Sequence, residues 1–259
     1  MLLVSFVPYI NNVVAFFVNK MIFVMNYGVS WIENLPNSII KGIYINEVQF
    51  VLLLLILLAL LLMVELRSKK MLFYIMIMSC CFLFVNVDKL IKQNKQEEMI
   101  IYSINNATVI DFIEGRSHIL FSDSVFFNDK SSFSYNIENF LVKKGVFYDE
   151  KRVFFCDNFD GNFVKKRKSV VIFGKNTIGL SDGGDFFKEE LTYKIPLDYM
   201  LVYGRKRQSL VSLLNVYKFD NLIISSDVPK YLATEIIQEA SELGIKYHDI
   251  REKGAFFIK

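Results

Sequence analysis

Histidine, cysteine, proline and tryptophan are all scarce in this 259-residue chain, at two, three, four and one copies. The two histidines, His118 and His248, stand 130 positions apart, whereas a self-contained metal centre needs three or four converging donors. Both therefore read as strand-end residues rather than ligands. Cys80 and Cys81 are adjacent and Cys156 is isolated; without CxxC pairs there is neither a disulfide scaffold nor a structural zinc site. Cys156 has no histidine near it in sequence and reads as a packed strand thiol. A large excess of one charge is missing too, with 30 Lys+Arg against 27 Asp+Glu and a net charge of +3. That excludes a global basic field for nucleic acid, so any such contact must come from a local patch. Gly174-Lys175 lacks the upstream glycine and following Ser/Thr of a phosphate loop. None of these residues calls for a cofactor.

What is abundant is apolar surface: 53% of residues are hydrophobic and 22% charged, which excludes intrinsic disorder for most of the chain. The excess concentrates in the first 90 positions. Val48 to Val64 is uncharged between Glu47 and Glu65, and Met71 to Val87 is uncharged between Lys70 and Asp88. At 1.5 Å per residue each run covers about 25 Å, close to the roughly 30 Å of bilayer hydrocarbon. In the first run Leu and Ile occupy every face with no polar stripe, as a lipid-facing helix requires.

A less clean span begins near residue 3 and is interrupted by Pro8, Asn11, Asn12, Asn19 and Lys20. Polar groups in lipid need partners, so Asn11, Asn12 and Lys20 either line a pathway or make interhelical hydrogen bonds with a snorkelling lysine. Met1-Leu2-Leu3 offers no basic n-region for a secretory signal, and a chain that starts inside an apolar span reads as a piece of a larger protein. Trp31-Ile32-Glu33-Asn34-Leu35-Pro36 suits a membrane interface. The expectation is a transmembrane region over residues 1–92, with spans at about 3–26, 47–66 and 70–88, and a soluble domain over 93–259. Arg67-Ser68-Lys69-Lys70 puts the loop between the last two spans in the cytoplasm and everything after about residue 92 outside it.

From Glu97 onward short apolar runs alternate with turn residues. Met99 to Ile104, Val109 to Ile113 and His118 to Phe121 read as strands, the last two joined by a Glu114-Gly115-Arg116 hairpin. Val153 to Cys156, Val170 to Phe173 and Thr177 to Leu180 add strands, with a serine-capped helix over Ser132 to Lys144 between the two groups. After Pro196 the order is strand (Tyr199 to Tyr203), helix (Gln208 to Tyr217), strand (Leu222 to Ser225), helix (Pro229 to Leu243), strand (Lys246 to His248) and strand (Ala255 to Ile258). This order predicts one α/β domain behind membrane helices.

Asp157-Asn158-Phe159-Asp160-Gly161-Asn162 fails as a calcium loop, since Cys156 and Arg167 fall where ligands belong, and reads as a turn. Ser181-Asp182-Gly183-Gly184-Asp185 is likewise ordinary turn chemistry. Two basic clusters remain, Lys165-Lys166-Arg167-Lys168 and Arg205-Lys206-Arg207. Such runs are usually solvated turns, but Phe159, Phe163, Phe173 and Tyr203 lie near them, the combination that single-stranded nucleic acid grooves use.

Three phrases carry a resemblance: Trp31-Ile32-Glu33-Asn34-Leu35-Pro36, Ala107-Thr108-Val109-Ile110-Asp111-Phe112 with Gly115-Arg116, and Leu243-Gly244-Ile245-Lys246-Tyr247-His248-Asp249-Ile250-Arg251-Glu252-Lys253-Gly254-Ala255-Phe256. With them the chain resembles the C-terminal end of ComEC-type competence proteins, in the form found in Bacteroidetes-like bacteria. The resemblance implies passage of one DNA strand across the inner membrane, with a periplasmic domain of the αββα metallo-β-lactamase-like fold. It also implies partners: membrane lipid, single-stranded DNA, the remaining channel-forming part and other competence proteins. The departure is that no His-x-His-x-Asp-His phrase exists. The turn where histidines are expected is Gly204-Arg205-Lys206-Arg207-Gln208-Ser209. Cations cannot ligate a metal or generate its hydroxide, so the domain is expected to be degenerate, without metal and not an enzyme. The rival readings are a membrane-anchored periplasmic binding or sensor domain unrelated to DNA, and a metal-dependent nuclease-like enzyme.

Overall fold

A computed structural model of the chain describes residues 8–33, 44–67, 69–146, 150–183 and 192–258. Two compact units are present, Met1–Ile43 and Tyr44–Lys259. The first contributes α1 (Pro8–Glu33), which runs unbroken through Asn19 and Lys20. The Lys20 ammonium stays on its own helix, 6.0 Å from the ring centres of both Phe16 and Phe23. Asn11 and Asn12 fall within α1, but their side chains lie outside the described residues, as do residues 34–36 of the interfacial phrase and Ser68.

In the second unit α2 (Glu47–Leu66) starts at a capping box. Asn46 Oδ1 accepts the Glu47 amide at 2.7 Å and Gln49 Oε1 accepts the Asn46 amide at 2.8 Å, satisfying donors that a helix start leaves open. α3 (Lys70–Asn94) continues past the expected end of its span at residue 88, so only Lys95 and Gln96 separate it from the first strand. Among the described residues α2 and α3 are the helices long and apolar enough to cross a membrane. Their apolar side chains stay largely uncovered, Leu57 and Phe84 among them, unlike a soluble core helix. One polar pair joins them: Gln49 Nε2 donates to Asn86 Oδ1 at 2.9 Å.

The rest of this unit is built on two sheets. In chain order the first group is β1 (Glu97–Ile101), β2 (Ile110–Glu114), β3 (Ser117–Ser122), α4 (Ser124–Asn128), α5 (Lys130–Phe133), a π-helical turn (Ser134–Glu138) and α6 (Asn139–Lys144). Then come β4 (Glu150–Phe154), β5 (Phe159–Asp160), β6 (Val164–Arg167), β7 (Val170–Phe173), β8 (Asn176–Ser181), β9 (Ile195–Pro196) and β10 (Tyr199–Val202). The chain ends with α7 (Leu210–Leu214), β11 (Tyr217–Lys218), β12 (Asn221–Ile224), α8 (Lys230–Glu242), β13 (Lys246–Asp249), α9 (Ile250–Lys253) and β14 (Phe256–Ile258). One sheet has the order β14-β1-β2-β3-β4 and the other β13-β12-β10-β8-β7-β6-β5. The β2–β3 hairpin turns on Gly115-Arg116, where Gly115 takes a φ of +59° that a two-residue loop demands of its first residue.

Three apolar clusters define the layers. Met99, Phe112, Phe121, Val171, Ile178, Leu201 and Ile223 come from both sheets and form the central core. Ile113, Leu120, Phe126, Ile137 and Leu141 cover the outer face of the first sheet with its helices, and Met200, Leu222, Leu213, Leu232 and Ile236 do the same for the second. The order is helix, sheet, sheet, helix, because alternate residues of each strand face opposite sides and both sides are apolar.

Local corrections have clear physical causes. The expected serine cap at Ser132 is replaced by Asp129, whose carboxylate accepts the amides of Ser131 and Ser132 at 3.1 and 3.2 Å. These bonds, with those from the two serine hydroxyls, hold its acid well down, to about 2. Cys156 is exposed in the turn after β4 instead of packed in a strand. Lys165-Lys166-Arg167 lies in β6 rather than in a turn, so Lys165 and Arg167 point outward while Lys166 is 1% exposed.

Candidate functional site

Parallel strands in both sheets end at one rim. Asp123 follows β3, Phe155 and Cys156 follow β4, Asp182 follows β8, Tyr203 and Gly204 follow β10, and Ser225 to Asp227 follow β12. Small hydroxyls pin the sheets together there. Thr108 Oγ1 and Ser225 Oγ are 2.6 Å apart, Ser122 Oγ donates to the Thr108 carbonyl at 2.8 Å, and Ser226 Oγ donates to the Ile104 carbonyl at 2.6 Å. In α/β sheets the carboxyl ends of parallel strands are where ligands bind, because the loops there are free of the core's packing demands.

The rim opens into a cleft of about 750 Å³ lined by Asp123, Phe154, Phe155, Cys156, Lys168, Ser169, Leu180, Asp182 and Tyr203. The Phe155 and Tyr203 rings lie 4.7 Å apart at 31°. Lys168 occupies the left-handed region with a φ of +51°, at the two-residue turn between β6 and β7, and donates its amide to Asn158 Oδ1 at 2.8 Å. Such a conformation costs a non-glycine residue about 1 kcal/mol. Beside the cleft a recess of about 410 Å³ is lined by Phe159, Arg167 and Lys168 among others.

Two loops shape the rim by close backbone approach. A Cβ on Gly183 would stand 2.6 Å from the Lys206 carbonyl oxygen, and one on Gly204 would stand 3.0 Å from that of Asp182. Only glycine allows this contact, which seats the cationic loop beside β8. The Gly204 amide donates to Asp227 Oδ2 at 2.8 Å, and Ser209 caps α7 through the Ser212 amide.

The two basic clusters are distributed by this geometry. Arg205 Nη2 reaches Asn106 Oδ1 at 3.5 Å, Lys206 Nζ pairs with Asp182 Oδ2 at 3.0 Å, and Arg207 Nε pairs with Glu235 Oε2 of α8 at 3.2 Å. Lys206 and Lys168 thus border the cleft while Arg207 is turned to the helical face. Lys165 stands 3.7 Å from Asp160. Lys166 Nζ donates to the Asp157 carbonyl at 2.8 Å from inside the fold, and loss of water around it lowers its pKa. Lys166 is therefore withdrawn from any surface contact.

The carboxylates at the cleft are already engaged. Asp123 accepts the Phe126 amide at 2.8 Å as the cap of α4, and Asp182 holds Lys206. No group of three His, Cys, Asp or Glu able to hold a metal exists among the described residues. The turn after β10 offers guanidinium and ammonium groups, which do not fit a divalent cation. His248 lies away from the cleft, its Nε2 3.0 Å from the Gly254 carbonyl oxygen.

His118, Asp111 and Tyr102 form a buried chain that sequence reasoning missed. His118 Nδ1 is 3.0 Å from Asp111 Oδ1, and the Tyr102 hydroxyl donates to Asp111 Oδ2 at 3.1 Å. Burial, reinforced by the Asp111 charge and hydrogen bond, pushes the Tyr102 hydroxyl far above its usual pKa. A signal was available: Asp111 and His118 are polar residues within otherwise apolar strands, and the Gly115-Arg116 hairpin pairs the two strands with a fixed register.

No curated protein and no solved structure matches the chain. A family model described as the ComEC C-terminal domain matches residues 99–259, a stretch that takes in every strand from β2 onward and the whole rim. With that match spanning well over half of its length, the chain belongs to the ComEC family, whose role is in competence and DNA uptake.

Proposed function

We propose that this chain is part of an inner-membrane DNA-uptake channel whose periplasmic α/β domain guides a single DNA strand without cutting it. The observation that carries the reading is the rim cleft, where the Phe155 and Tyr203 rings lie close together beside Lys168, with Lys206 held at its edge by Asp182, at the carboxyl ends of the strands. Aromatic faces stack with any base and cations neutralise phosphates, so such a groove holds a strand without reading its sequence. The helix-sheet-sheet-helix order supports a metallo-β-lactamase-like scaffold, and the cationic turn after β10 supports a degenerate one. α2, α3 and a span built on α1 would tether the domain, with lipid and the remaining channel-forming part or other competence proteins as partners.

The test is fluorescence anisotropy of a labelled oligothymidylate against the full chain in lipid nanodiscs, from low to moderate salt. Binding should be weak and independent of sequence, with a salt slope of about 0.7 per phosphate contacted. Arg205→Ala combined with Lys206→Ala should lower affinity and flatten that slope together. Equal binding by the variant would remove this rim from the DNA path, and cleavage of the strand by the metal-supplemented wild type would overturn the non-catalytic reading.

A further inference from the structure

A second cleft, of about 550 Å³, lies where α2 begins and α3 leaves its apolar run. Its depth is set by the sequence. The uncharged stretch of α3 ends at Val87, so Asp88, Lys89 and Lys92 stand just past the hydrocarbon boundary, in the layer that lipid phosphates occupy. Glu47 at the start of α2 marks the same level, because Gln49 is hydrogen-bonded to Asn86 across the pair.

Four ammonium groups converge on this cleft and fall into two kinds. Lys92 is paired with Asp88 at 2.7 Å, and Lys144 is paired with Glu98. Lys89 and Lys143 have no carboxylate partner among the described residues. They flank one ring instead, with Lys89 Nζ 5.1 Å and Lys143 Nζ 5.9 Å from the centre of Tyr44. Lys89 also donates to the Tyr44 carbonyl at 2.7 Å, which holds the tyrosine between them. Lys89 comes from a membrane helix and Lys143 from the last turn of α6 in the soluble domain. The cleft joins them through Gln96, whose Nε2 donates to the carbonyls of Gly115 at 2.7 Å and Lys144 at 3.0 Å.

We propose that Lys89, Lys143 and Tyr44 form a binding site for the phosphate of an anionic phospholipid, which clamps the soluble domain onto the membrane surface. Four lysines face three carboxylates in the cleft, Glu47, Asp88 and Glu98, none of them paired with Lys89 or Lys143; the excess positive charge at headgroup depth is complementary to one phosphodiester, and an interfacial tyrosine suits the glycerol region. The source is the bilayer rather than free phosphate because the site stands directly above the apolar surface of α2 and α3, where the acyl chains of the same lipid would lie. This inference is independent of the DNA reading, since it involves none of the rim residues.

The experiment is native mass spectrometry of the full chain released from mixed micelles, with phosphatidylglycerol as the probe, phosphatidylcholine as the zwitterionic comparison and inorganic phosphate as the free anion. Wild type should retain one phosphatidylglycerol in preference to phosphatidylcholine, and millimolar phosphate should not displace it. Each lysine at a membrane surface contributes about a fivefold change in affinity, so Lys89→Gln with Lys143→Gln should lower retention by more than tenfold. Lys143→Gln alone, at an exposed position, keeps the test valid if the double variant fails to fold, and should lower retention about fivefold. Lys92→Gln, which removes a cation already paired, should change retention less than twofold. Equal retention by the Lys143→Gln variant, equal retention of phosphatidylcholine, displacement by phosphate, or a single DNA strand captured at these lysines in place of lipid would each overturn the proposal.

Discussion

Removing the Asp111 carboxylate should destabilise the α/β domain more than any single surface change. Asp111 is fully buried and serves two donors at once, Tyr102 through Oδ2 at 3.1 Å and His118 through Oδ1 at 3.0 Å. Asp111→Ala leaves both buried and without that acceptor, and a buried donor stripped of its partner costs about 1–3 kcal/mol. The sum is about 2–6 kcal/mol, a large share of the roughly 5–15 kcal/mol that holds a domain folded. Asp111→Asn keeps an acceptor for Tyr102 and should cost about half as much. Tyr102→Phe removes only one bond and should cost about 1 kcal/mol, and combined with Asp111→Ala the two losses should not add, since both remove the Tyr102–Asp111 contact. The assay is urea unfolding of the full chain in nanodiscs, read by hydrogen exchange in β2 and β3, the strands this chain of bonds joins. A loss below about 1 kcal/mol for Asp111→Ala would show that water replaces the carboxylate and that the network is not structural.

Four other outcomes follow from the same geometry. Lys168→Gly should raise stability slightly, by under about 1 kcal/mol after the entropy of glycine is counted, while weakening oligothymidylate binding in the anisotropy assay. Lys166→Met should be tolerated at neutral pH. Because the folded pKa of Lys166 is lowered, the unfolded chain binds the extra proton, and wild-type stability rises with pH between the folded value and 10.5; the advantage of the variant in urea titrations should therefore shrink across that window. Asp129, lowered to about 2 from 3.8, contributes stability that is present above about pH 4 and lost as pH falls toward 2, so amide exchange in residues 130–144 should accelerate over that interval in wild type and not in Asp129→Asn. Reporter fusions should be cytoplasmic in the loop at Ser68 and extracytoplasmic after residue 95; a cytoplasmic signal at the C-terminus would reverse the topology and remove the domain from the entering strand.

Much of the fold was legible because its signals are local. Seventeen uncharged residues between Glu47 and Glu65 dictate an apolar helix whatever surrounds them, and a glycine between two apolar runs dictates the hairpins at Gly115 and Gly174. The alternation of strand and helix after Pro196 was legible as α/β, and the structure added that β10, β12 and β13 pair in parallel. Boundaries slipped where a side chain decided them, as when Asp129 rather than a serine opened the helix before α6.

The candidate site was legible only in part. The basic turn at Arg205-Lys206-Arg207 stood out in the sequence as a cluster. Its division did not: Lys206 borders the cleft, Arg207 turns to Glu235, and Lys166 in the other cluster is buried, because a strand alternates its side chains and a loop's glycines choose what it leans on. Pairings across the fold, such as Thr108 with Ser225 or Lys89 and Lys143 with Tyr44, join residues 45 to 117 positions apart. Periodicity carries each element's type and its buried face, since these depend on neighbours along the chain. The packing of the two sheets decided which strand ends meet, which cations share a cleft and which carboxylates are already engaged.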